Sequence, residues 1–315
     1  MSQLEMREVF ATCLKELMNQ DERIVLVNAD LAKAGGTHSL ASQFPDRCFN
    51  VGVAEANMVS VAAGMASYGY IPFISTFTPF ATRRVCDQLA ISVCYAQQNV
   101  KIVGTDPGIS AELNGGTHMG VEDIGVIRSL KDMVIFEPVD AVQLKKSMQQ
   151  VVDHPGPVYV RLHRKKVDDV FPEDYTFNLF QADVIKEGKD VTILASGLMV
   201  QESIQALALL REKGVDAELI NVHTIKPIDA KTIIKSARKT GCVVTAENHS
   251  TIGGLFSAAA EALSMECPTL MAPIGFNDVF GEVGMMPYLK ERFRMRKEDI
   301  AQACLDIIEK KEKMK

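Results

Sequence analysis

The sequence predicts an α/β fold of two domains, each a mostly parallel sheet flanked by helices. Short β-branched runs alternate with stretches of helical periodicity along the whole chain, the pattern of parallel strands joined by crossover helices. One charged stretch without a clear period interrupts that alternation. The length of 315 residues, at roughly 100–200 per domain, makes about two domains.

Residues 5–19 place Val9, Cys13, Leu14 and Leu17 at helical spacing. RIVLVNAD reads as a buried strand ending at Asp30. Met58, Val61, Ala62 and Met65 mark a helix that Gly69 stops. IPFIST is a strand, and residues 79–96 read as one helix striped by Val85, Leu89 and Val93. VKIVG is a strand, and Val121, Ile124, Ile127 and Leu130 mark a helix. DMVIFEP, residues 140–151 and GPVYVRL complete strand, helix, strand. Residues 166–188 read as a linker. VTILAS, DAELINV, CVVTAE and PTLMAPI then read as strands, separated by helices over 199–213, 229–239 and 252–264. A helix over 296–315 ends in a solvated charge run.

Composition excludes several classes. The net charge is −6, from 34 basic and 40 acidic residues, which argues against nucleic acid as a ligand. No apolar run approaches the length of a membrane span, and MSQLEMREVF does not read as a signal peptide. The seven scattered cysteines form no CxxC, as expected of reduced thiols in a cytoplasmic protein without a structural zinc site.

Four segments could carry chemistry. In VGVAEANM, Glu55 stands where a strand hands over to an apolar helix. It is either a solvated residue favoured by the helix dipole or a buried acid with a raised pKa. In STFTPFATRR, Phe77 and Phe80 are core, or a flat wall for an aromatic ligand. The Gly- and Pro-rich loop over 104–123 ends in Thr117 and His118 before a helix. A histidine there either faces solvent or moves protons near neutral pH. In VYVRLHRKK, Arg161 and Arg164 leave a strand and either hold a phosphate or belong to a charged linker.

Taken in order, DRCFNVGVAEANM, FISTFTPFATRRVCDQL, GGTHMGVED, GPVYVRLHR and TAENHSTIGGL resemble the transketolase family in its split, two-gene form. The chain is similar to the C-terminal subunit over nearly its whole length. The resemblance implies a pyrimidine-binding (transketolase central) domain over 1–165 and a transketolase C-terminal domain over 189–315. It implies transfer of a two-carbon ketol unit between sugar phosphates, using thiamine diphosphate and Mg²⁺. Glu55 matches the glutamate that hydrogen-bonds the coenzyme's aminopyrimidine ring and favours its imino form, a role that suits a desolvated acid. Phe80, with Phe77, matches the wall against which that ring packs. Asp30 matches an aspartate near the cofactor at the subunit interface. His118 matches a histidine on the donor sugar's hydroxyls, and Arg164 and Arg7 match arginines that hold the sugar phosphate.

The chain departs from the family pattern on the substrate side. Asn114 stands where an acidic residue precedes Gly-x-Thr-His, and Asp106 or Pro107 where a histidine is expected. The family binds diphosphate and Mg²⁺ through a GDG motif followed by Asn, and this chain has no GDG. The resemblance therefore implies an N-terminal partner subunit that supplies those ligands, with self-association into a heterotetramer. Other readings are the beta subunit of a 2-oxo-acid dehydrogenase, a relative of deoxyxylulose-phosphate synthase, or a non-catalytic subunit that keeps the fold.

Overall fold

The computed structural model describes residues 4–314. Among them the strands are β1 (Ile24–Asn28), β2 (Cys48–Asn50), β3 (Ile71–Phe77), β4 (Lys101–Thr105), β5 (Val134–Phe136), β6 (Val158–Leu162), β7 (Asp183–Lys186), β8 (Val191–Ala195), β9 (Ala217–Asn221), β10 (Thr224–Lys226), β11 (Cys242–Ser250) and β12 (Leu270–Phe276). They form two sheets, ordered β10-β5-β6-β4-β3-β1-β2 and β12-β11-β8-β9-β7. Every pairing is parallel except β10 on β5 and β7 on β9, both at sheet edges.

The register shows why the central strands read as continuous apolar runs. Val27, Ile74, Ile102 and Tyr159 align across β1, β3, β4 and β6. They face one buried cluster, while their neighbours Leu26, Phe73, Val103 and Val160 face another. Both faces are covered by helices, so each strand residue is apolar whichever way it points. The first cluster also takes in Leu194, Ile220 and Ile233 from the second sheet and its helices.

Three elements differ from the sequence reading. Residues 79–96 are not one helix. A turn over Thr78–Ala81 breaks at Thr82 (φ −130°, ψ −83°), a 3₁₀ turn covers Arg83–Val85, and a π-helical stretch runs over Leu89–Tyr95. Thr82 Oγ1 donates to the Thr78 carbonyl at 2.8 Å, a side-chain bond that bends helices. The 166–188 stretch, read as a linker, supplies edge strand β7. Its part-exposed, half-polar residues leave no periodic trace. Strand β10, three residues from the second half of the sequence, completes the first sheet against β5. No helix among the described residues is long and apolar enough to cross a membrane.

Candidate active site

The predicted site residues gather at the C-terminal edge of the first sheet, where open parallel sheets present ligand-binding loops. Glu55 opens the helix Glu55–Ser67 just beyond β2. Helix-start backbone N–H groups and the dipole favour a carboxylate in the first turn. Its side chain is nevertheless buried, with the residue 4% exposed. Arg84 covers it from the solvent side, Nη1 lying 2.9 Å from Glu55 Oε1. The Arg84 guanidinium carbon sits 3.8 Å from the centre of the Phe80 ring, a stacking contact that fixes its long side chain. The break at Thr82 delivers Arg84 to this place.

Phe77 ends β3 and Phe80 lies in the turn that follows, with ring centres 6.1 Å apart. Both are part-exposed. His118 stands edge-on to both rings, at 5.7 Å from Phe77 and 5.3 Å from Phe80. Its Nδ1 is 2.9 Å from Thr117 Oγ1. Pro79, Phe80, Arg83, Arg84, Thr117 and His118 line a concavity of about 400 Å³. The arrangement offers an aromatic wall, an imidazole and a buried carboxylate in one place. That matches the ring half of a coenzyme with an apolar face and a polar nitrogen. Among the described residues no group of three or more His, Cys, Asp or Glu is placed to hold a metal ion.

Beyond Phe77 lies a charged corner. The Arg164 guanidinium is 5.8 Å from the Phe77 ring centre, and its Nε is 3.1 Å from Asp106 Oδ1. The angles do not make this a hydrogen bond, and both Asp106 oxygens are buried without one. Burial pushes the Asp106 carboxyl up to about 6, against the pull of Arg164, Lys165 and Arg7. Arg7 is near because its backbone N–H donates to the Arg164 carbonyl at 3.1 Å. Its side chain is engaged by Glu5 and by the Ala34 carbonyl.

Glu55, Phe77, Phe80, His118 and Arg164 are thus brought together, with Arg7 behind Arg164. Asp30 and Asn114 have no contact with that group among the described interactions. Asp30 is exposed at the end of β1 with φ +63°, its carboxylate 3.2 Å from Asn50 Nδ2. Asn114 is exposed at the end of the turn Gly108–Asn114.

Arg161 is not available to a phosphate. It is wholly buried, paired with Asp123 (Nε to Oδ2, 2.8 Å) and Glu137 (Nη1 to Oε1, 2.7 Å), and donates to the Asn248 carbonyl at 2.8 Å. Strand alternation puts it on the Tyr159 face of β6, toward the second sheet. Burial opposes the charges, but the pairing outweighs it: Asp123 lies below the usual carboxylate range and Arg161 above the usual guanidinium range. Sequence reasoning also missed Arg84, although FATRR carries it four positions after Phe80.

The chain matches the family models "Transketolase, pyrimidine binding domain" over residues 2–169 and "Transketolase, C-terminal domain" over residues 181–300. It is 49% identical over 306 residues to the 6-deoxy-6-sulfo-D-fructose transketolase subunit SqwH of Clostridium sp. (strain MSTE9), covering 97% of this chain and 95% of that protein. It is 35% identical over 305 residues to an apulose-4-phosphate transketolase subunit of Phocaeicola vulgatus, covering 96% and 97%. Among solved structures it superposes with a TM-score of 0.89 on a chain described as "Split gene transketolase, inactive beta4 tetramer", at 40% identity, covering 98% and 99%. On these grounds the chain belongs to the transketolase family, as a counterpart of the C-terminal subunits of split transketolases.

Proposed function

We propose that this chain is the pyrimidine-side half of a thiamine-diphosphate enzyme that moves a two-carbon ketol unit from an anionic ketose to an aldose in the cytoplasm. Its other half is an N-terminal subunit with the GDG and Asn ligands for diphosphate and Mg²⁺, and the two assemble as a heterotetramer. The observation that carries this reading is Glu55: a carboxyl buried at a helix start, roofed by Arg84 and bordered by Phe80.

When bound, the coenzyme supplies the carbon nucleophile and electron sink needed to cleave the ketose C2–C3 bond. In this reading the chain's residues do the following. Glu55 hydrogen-bonds the pyrimidine ring nitrogen, and the separation of that pair from water strengthens the contact. Phe80 and Phe77 exclude water from the ring face. His118, with Nδ1 facing Thr117, turns Nε2 toward the sugar hydroxyls. Asp30 lies at the subunit seam beside the coenzyme. Arg164, aided by Arg7, attracts the far anionic end of the sugar, and Asn114 lies at the tip of the substrate loop. The relatives named for a sulfonated and a phosphorylated sugar support an anionic donor.

The test is co-expression with the neighbouring GDG-bearing subunit, followed by a donor screen with both sulfonated and phosphorylated ketoses. Glu55→Gln should leave assembly intact and reduce ketol transfer at least a hundredfold, on the order of removing a general acid or base. Turnover close to wild type in that variant would remove the mechanism.

A further inference from the structure

The loop that carries His118 is held largely by the second half of the chain. Its entering limb, Pro107–Ile109, is gripped by one buried side chain on β11. Asn248 Oδ1 accepts the Ile109 N–H at 2.9 Å, and Asn248 Nδ2 donates to the Pro107 carbonyl at 2.9 Å. The Asn248 amide therefore pairs with the loop backbone on both its donor and acceptor sides, as a neighbouring strand would. The fit is close. Gly108 has φ +51°, and a methyl in place of its hydrogen would sit 2.1 Å from Asn248 Oδ1. The leaving limb is tied to the same strand, the Ser250 N–H donating to the Val121 carbonyl at 2.6 Å. Arg161, buried between Asp123 and Glu137, holds the Asn248 carbonyl in turn. At the tip, Glu112 Oε1 accepts the Met286 N–H at 3.1 Å, and Gly116 lies against the Gly281 carbonyl.

We infer that Asn248 is a positioning residue for donor recognition: it fixes the 106–118 loop, and through it the distance of His118 from Phe77 and Phe80. The inference rests on the reading that His118 meets the donor sugar. The physical ground is that a loop of this length has many conformations to lose. A buried amide satisfied on both sides removes them at small cost, and a half-satisfied one is penalised. Asn248→Asp keeps the shape but sets a carboxylate oxygen against the Pro107 carbonyl. Gly108→Ala breaks the same contact from the loop side.

Two measurements test this. Hydrogen exchange on the isolated chain should show faster exchange at Ile109 and through 108–118 in both variants, with β1, β3, β4, β8 and β9 unchanged. In the complex with the N-terminal subunit, kcat/KM for the donor should fall by about a hundredfold, the scale of a 1 Å misplacement, while half-saturation by thiamine diphosphate stays at the wild-type value. In a His118→Ala background, Asn248→Asp should cost almost nothing more, because the two act as one unit. Unchanged loop exchange, or costs that simply add in the double variant, would overturn the inference. If Asn248→Asp loses its sheets as well, Gly108→Ala alone decides. A wild-type complex without ketol transfer would instead sink the functional reading, with the exchange result still deciding whether Asn248 is the clamp.

Discussion

Glu55 and Asp106 are both removed from water, but the fold treats them differently. Glu55 has a helix start beneath it and Arg84 above it. Asp106 has Arg164 at 3.1 Å in poor alignment, a positive φ and two carboxyl oxygens without hydrogen bonds. Its raised pKa means that the folded chain keeps a proton which the unfolded chain has already lost. Asp106 therefore favours folding at low pH, and that contribution is lost as pH rises from about 4 to about 6. Asp106→Asn removes the cost of the buried charge, and Asn tolerates the left-handed backbone. Urea unfolding of the isolated chain should show the variant gaining on wild type by up to about 1.4 kcal/mol per pH unit across that window, and flat above it. A difference that does not change with pH would refute the assignment. At this scale the residues that the fold gathers, Glu55, the phenylalanine pair, His118 and Arg164, are those that stand in compact motifs of the sequence. Arg84 escaped because its meaning depends on a helix break at Thr82, and Arg161 misled because it stands three positions from Arg164 yet points the other way.

Elements were legible in proportion to their burial. Strands β1, β4, β6, β8 and β9 are buried from end to end, and β3 and β11 up to their last residues, and their apolar runs announced them. The edge strands β7 and β10 are short, partly polar and bulged against their partners, so they left no run to read. The least legible feature is the join between elements. Arg161 on β6 meets Asp123 from the helix Asp123–Arg128, Glu137 just past β5, and the Asn248 carbonyl on β11. His249, next along β11, is neutral: burial lowers its pKa to about 4, its Nδ1–H donates to the Ser250 carbonyl, and its Nε2 accepts the Gly125 N–H. Arg161→Met should strand the Asp123 and Glu137 charges and cost about 3–5 kcal/mol in urea unfolding, the range for removing one partner of a buried pair. A cost below about 1 kcal/mol would mean the network adds nothing to the join.

At the scale of the molecule, the sequence announced two α/β units and the family resemblance ordered them. It did not announce that their interiors merge, with Val27 and Ile74 of the first sheet in one apolar cluster with Leu194 and Ile220 of the second. Nothing in a local period records which distant residue a side chain will touch. The site has the same property one level up. This chain carries an aromatic and acidic surface around Phe77, Phe80 and Glu55 and, among its described residues, no group of three or more His, Cys, Asp or Glu placed to hold a metal ion. Under the proposed reading, titration calorimetry should show weak binding of thiamine diphosphate to the isolated chain and tight, Mg²⁺-dependent binding once the GDG subunit is present. Tight binding to the isolated chain would contradict a shared site.

Strand β10 has one more implication, for synthesis. Its three residues are made after the whole of β6, β7, β8 and β9, yet they close the outer edge of the first sheet against β5. A chain emerging from the ribosome can assemble six of those strands in order and must then wait for the seventh. Through that interval the backbone groups of β5 remain open to any other extended segment, so folding of the N-terminal half ends only when the C-terminal half has been delivered.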